Sequence, residues 1–199
     1  MESFATMALY SEQCHRPHLA FYNKHFHHDP ASSMLLRPSQ KLSVKLKSGS
    51  LTTLPSHENP FADWSTNGFI VQRMHYVLVS NTASLYSVFM RGKGITNANS
   101  FLEQFHRELR AVMEADGLLS IYSQRIQPHL DTVQFAKALN RSVTGSMNDI
   151  IRCARYSIEA QDEGLIEVSR SLNEMPLSML KHEGRDYGQP KSVMIALAS

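Results

Sequence analysis

Residues 138–151 read ALNRSVTGSMNDII, and the stretch from Asn140 to Asp149 gathers an arginine, three hydroxyls, a glycine, two amide side chains and a carboxylate. Anion recognition is the chemistry such a set can do. A strand delivering Asn140 and Arg141 to a turn at Gly145, with a helix beginning at Ser146, would aim free N–H groups and a positive dipole end at a phosphate or carboxylate. Arg141 would add a bidentate contact, and Ser142 and Thr144 would donate further hydrogen bonds. The same residues also suit an ordinary helix start. Ser146 and Asp149 have capping-box spacing, in which Asp149 answers the N–H groups internally and repels an incoming anion. On sequence alone both readings stand.

Other chemistries find less support. The stretch lacks the glycines of G-x-x-x-x-G-K-[ST] and of G-x-G-x-x-G, and no G-x-S-x-G elbow occurs. Glu159, Asp162 and Glu163 have the wrong setting for a nucleotidyltransferase. Cys14, His15, His18, His25, His27, His28 and Asp29 crowd the N-terminal stretch, but without the paired spacing of a zinc site. Tyr22, Lys24 and Phe26 in that stretch suit docking on a partner. Cys153 falls one step off a helical stripe and is expected to be packed rather than reactive. His106 and His129 have the chemistry of bases, with nothing in sequence to bring them to a nucleophile. Arg107, Arg110, Arg152 and Arg155 fall on polar helix faces, as solvated arginines or as a basic surface. No cofactor or metal is called for.

The elements that position these residues follow from pattern. At 199 residues, 42% hydrophobic and 19% charged, the chain has the composition of one globular domain. Its net charge of +2 is far from the concentrated positive charge of a dedicated nucleic-acid binder. Two distant cysteines, no secretory signal and no apolar run of membrane length predict a cytoplasmic protein with no membrane contact. MLLRPSQKLSVKL, from Met34, alternates over residues 42–46 as a strand, or forms a short helix after Pro38. A Gly-, Pro- and Ser-rich loop follows and ends at Trp64, the single tryptophan. Phe69 to Val71, Tyr76 to Val79 and Leu85 to Phe89 predict an antiparallel meander.

Ser100 as N-cap with Glu103 at N3 opens a helix whose stripe is Leu102, Phe105, Leu109, Val112 and Met113, stopped at Asp116-Gly117. A shorter helical segment is predicted from Leu119 to Gln127, and a strand over Thr132 to Leu139. Met147, Ile150, Ile151, Ala154 and Ile158 form a second stripe, broken at Gly164. A short helix to Pro176 follows, then a loose tail. Mixed elements without strict alternation predict α+β, a small antiparallel meander packed against several helices.

At NRSVTGSMND the chain resembles an uncharacterised bacterial and phage domain family. Its pattern is a tryptophan before a small meander, a helix, and a strand ending in an Asn-Arg-Ser-Val-x-Gly-Ser-Met-Asn-Asp loop. The start of that family resembles the segment at Met34, although it often carries cysteine or threonine where this chain has Pro38-Ser39. The resemblance implies an N-terminal extension over residues 1–33, a domain of unknown function over 34–180 and a tail over 181–199. It carries no activity. The expected function is a binding module for a protein partner or a phosphate-bearing ligand such as nucleic acid. Its site would be Asn140, Arg141, Ser142, Thr144, Ser146, Asn148 and Asp149, with Trp64 on the same face. The alternative is a small hydrolase or transferase at the same loop, which needs a cleft and a converging base.

Overall fold

The computed structural model describes residues 33–160, 164–181 and 186–199. The N-terminal histidines and Cys14 lie outside the described residues. The fold is α+β, built on a five-stranded sheet of order β4-β3-β2-β1-β5. These strands are β1 Met34–Pro38, β2 Asp63–Val71, β3 Met74–Asn81, β4 Ser87–Arg91 and β5 Val133–Phe135. Strands β2, β3 and β4 form the expected antiparallel meander. The sheet as a whole is not antiparallel. Strand β1 runs parallel to β2 and to β5, so the sheet is mixed. MLLRP is buried at every position, the continuous pattern of a parallel strand covered on both faces.

Alternation along the strands divides the interior in two. Val77, Val79, Val88 and Met90 face one core, which α2 (Ala98–Ala115) closes with Phe101, Phe105, Leu109 and Val112. Tyr76, Leu78 and Phe89 face the other, closed by α4 (Arg141–Ala160) and α5 (Leu165–Asn173). Helix α1 (Gln40–Leu46) turns Leu42 and Leu46 into the first core, so the segment after Pro38 is helical rather than extended. Trp64 lies there too, fully buried against Phe105, its indole N–H donating to the Phe61 carbonyl at 2.8 Å.

Element ends follow local chemistry. Gln72 and Arg73 turn the β2–β3 hairpin with φ of 46° and 67°, the left-handed pair a two-residue hairpin needs. Helix α2 starts three residues earlier than expected, because Asn97 is the N-cap and Ser100 completes the capping box. Gly117, at φ 74°, stops it. The segment after it is α3 (Leu119–Ile121), then a π turn over Tyr122–Ile126 and a 3-10 turn over Gln127–His129. The tail holds a further helix, α6 (Pro190–Ala196), whose Met194 is sealed in the first core.

Strand β4 would leave an open sheet edge, but α5 covers it. Asn173 accepts from the Ser87 N–H at 2.7 Å and donates to the Ser87 carbonyl at 3.0 Å. Ser169 accepts from the Phe89 N–H at 3.1 Å. Two buried side chains thus stand in for a neighbouring strand.

The other end of the sheet fixes where α4 begins. The Arg37 guanidinium, 1% exposed, donates to both Asp63 carboxylate oxygens at 2.8 and 2.9 Å. It also reaches the carbonyls of Leu54, Pro55 and Lys137. Asp63 accepts further from the His57 N–H and the Thr82 hydroxyl. The Lys137 carbonyl is three residues ahead of Asn140, so this buried pair pins the chain at the approach to the motif.

Candidate functional site

The motif is not a loop between a strand and a helix. Strand β5 ends at Phe135, and α4 is already helical at Arg141. Asn140 is the cap: its side-chain oxygen accepts from the Ser142 N–H at 2.8 Å, and its carbonyl accepts the first helical bond, from Thr144 N–H, at 3.2 Å. The physical reason is burial. Starting at 141 rather than 147 brings Val143, 3% exposed, into line with Met147, Ile150, Ala154 and Ile158, extending the apolar stripe by a turn. Gly145 and Ser146 consequently lie inside the helix and make neither a turn nor a cap.

This start redistributes the expected site residues. Arg141, Ser142, Thr144, Asn148 and Asp149 are exposed on the outward side of α4. Asn148 accepts from Asn67 of β2 at 3.4 Å, which ties the helix to the sheet. Ser146 is half-buried and donates to the Met179 sulfur at 3.5 Å. Asp149 does not answer the helix N–H groups; it pairs with Arg152 one turn further on. Trp64 belongs to the opposite side of the sheet and is sealed from solvent, so it cannot share this face. The first turn of α4 carries no acidic residue, which removes the repulsion that Asp149 was expected to impose.

The groups considered for catalysis are not assembled here. Cys153 is half-buried and packs against the second core. His106 and His129 belong to elements on the α2 side. His129 Nε2 is 2.8 Å from Asn59 Nδ2. His106 Nε2 is buried with no hydrogen-bond partner among the described residues. Burial lowers its pKa from 6.5 to about 4, and the nearby Asp131 carboxylate only partly opposes this. The described residues contain no group of three metal-ligating side chains. A cleft of about 700 Å³ exists elsewhere, lined by Arg91, Lys93, Gln104, Arg107, Glu108 and the start of α5, and none of the motif residues lines it. Of that cluster, sequence reading singled out only Arg107, and the alternation Arg91-Gly92-Lys93-Gly94 was a further signal it passed over.

The family described as a domain of unknown function, DUF6933, matches residues 35–193. The chain belongs to this family. The DUF6933 match takes in all of the sheet but Met34, the motif and the first residues of α6. No curated protein matches the chain. Among solved structures, the catalytic core domain of BIV integrase is similar at a TM-score of 0.38 and 12% identity, covering 67% of this chain and 93% of that one. No helix among the described residues of this DUF6933 member is long and apolar enough to cross a membrane.

Proposed function

We propose that this domain is a binding module and that the outward side of α4 meets a protein partner. Gly145 carries the reading. Its backbone is ordinary right-handed helix, and an added Cβ would meet nothing within 4 Å. Glycine in a helix interior costs about 1 kcal/mol relative to alanine, and no turn or close contact among the described residues requires it. A partner backbone lying close against the helix would use that space. Arg141, Asn148 and Arg152 share this side of the helix, one or two turns from the glycine. Leu139, 42% exposed, and Tyr156, 72% exposed, flank the region. Exposed tyrosine and arginine are residue types enriched at interface centres.

The test compares the full chain with Gly145→Ala and Arg141→Ala as bait for the same cell extract. Gly145→Ala is expected to raise stability by about 1 kcal/mol while losing a protein that the wild type retains. Arg141→Ala is expected to lose it with melting unchanged. Equal retention by all three baits overturns the reading. A mixed-sequence DNA duplex is the control for the other partner class. Duplex binding that depends on Arg141, with no protein retained, would replace the protein partner by nucleic acid.

A further inference from the structure

We propose that the cleft between β4, α2 and α5 is a separate site for a compact oligophosphate group. Three cations from two elements line it, Arg91 and Lys93 at the end of β4 and Arg107 on α2. Two carboxylates share the lining, and each is engaged, Glu108 by Arg107 at 2.8 Å and Glu167 by Arg170 at 3.0 Å. Arg91 and Lys93 have no carboxylate partner among the described residues. Its volume of about 700 Å³ lies in the range of small-molecule sites.

The backbone that carries these two cations is held in place. Gln104 donates to the Arg91 carbonyl at 2.9 Å, and Lys45 donates to the Gly92 carbonyl at 3.1 Å. The Gly92 N–H bonds the His75 carbonyl at 2.6 Å, and a Cβ at Gly92 would lie 2.8 Å from the His75 Cβ. Gly94 turns the chain away at φ 86°. The Arg91 guanidinium lies 6.0 Å from the centre of the Tyr76 ring, a contact that orients it without neutralising it. A pinned main chain carrying uncompensated cations at the mouth of a cleft is preorganised for an anion. The first turn of α5 adds N–H groups on the facing wall, where Gly164 supplies no side-chain cap and Glu167, the acid of that turn, is paired with Arg170. More than one positive charge faces the ligand, which favours an oligophosphate over a single carboxylate.

The experiment is calorimetric titration of the full chain with inorganic pyrophosphate in a phosphate-free buffer. One saturable site is expected. Lys93→Gln should weaken it about tenfold without changing the melting temperature of the unliganded protein, because the Lys93 side chain is exposed and makes no hydrogen bond or ion pair among the described residues. Arg91→Gln should weaken it to a similar extent. Arg141→Ala should bind as the wild type does, which keeps this site distinct from α4. Absence of saturable heat, or unchanged affinity in Lys93→Gln, overturns the proposal. Loss of binding in Arg141→Ala also overturns it by placing the anion on α4. Citrate binding as tightly as pyrophosphate overturns the phosphate assignment.

Discussion

Arg37 and Arg141 are connected by a short run of chain, since Arg37 bonds the Lys137 carbonyl that leads into the motif. Yet they do opposite things. Arg37 is buried and makes five hydrogen bonds, two of them to Asp63. The Arg141 side chain is exposed and makes no hydrogen bond or ion pair among the described residues. A guanidinium taken out of water must have every donor answered. One left in water is available to whatever arrives. The difference separates bracing from display, and neither residue type nor local sequence declares which will occur.

The contrast can be broken most severely at the buried end. Asp63→Ala leaves the Arg37 charge uncompensated in the interior, and about 3–5 kcal/mol of stability should be lost in a urea melt. A loss under about 1 kcal/mol would mean that water reaches the guanidinium, and the contrast with Arg141 would collapse. His106 provides an intermediate case, a buried ring nitrogen with no partner. Its folded pKa of about 4 lies below the ordinary 6.5, so the unfolded chain takes up the proton first. The stability this neutral ring contributes is complete above pH 6.5 and is lost as pH falls toward 4, by up to about 3 kcal/mol. His106→Leu should flatten the melting temperature across that window. Parallel curves for wild type and variant would clear the imidazole of responsibility.

Smaller effects distinguish the cap from its decoy. Asn140→Ala should cost about 1 kcal/mol, measured by chemical denaturation. Ser146→Ala, at the other position with capping-box spacing, should cost less, because Ser146 sits mid-helix and its hydroxyl donates to the Met179 sulfur rather than capping a helix start. At the displayed end, Arg141→Ala should stay within about 0.5 kcal/mol of wild type. A larger drop would show a bracing role that its exposure conceals.

These cases explain what could be read in advance. The meander was legible at Phe69 to Val71, Tyr76 to Val79 and the Ser87 to Phe89 part of the third run, where β-branched and aromatic residues crowd together; Leu85, at φ 57°, belongs to the turn before β4. The meander's true length was not legible. Ser65 and Asn67 are polar residues in a strand, and their fit depends on Thr82 and Asn148, which lie far away in sequence. The parallel pairing of β1 was hidden because MLLRP lacks alternation. In the motif the residue set was found but the geometry was not. Asn140, Ser142, Thr144 and Ser146 are all acceptable caps by type, and Gly145 suggested a turn. Burial of Val143 selects Asn140, and that selection belongs to tertiary packing. The exchange between Asn173 and Ser87 spans 86 positions, beyond any local signal.

That exchange at β4 has a consequence for how copies of this protein can associate. A bare strand invites another chain to zip onto it, the usual opening step toward polymers and amyloid. Here the Ser87 N–H and carbonyl and the Phe89 N–H are already bonded from within. On this flank, contact between molecules has to be made by side-chain surfaces, which can be selective, rather than by main-chain augmentation, which is not.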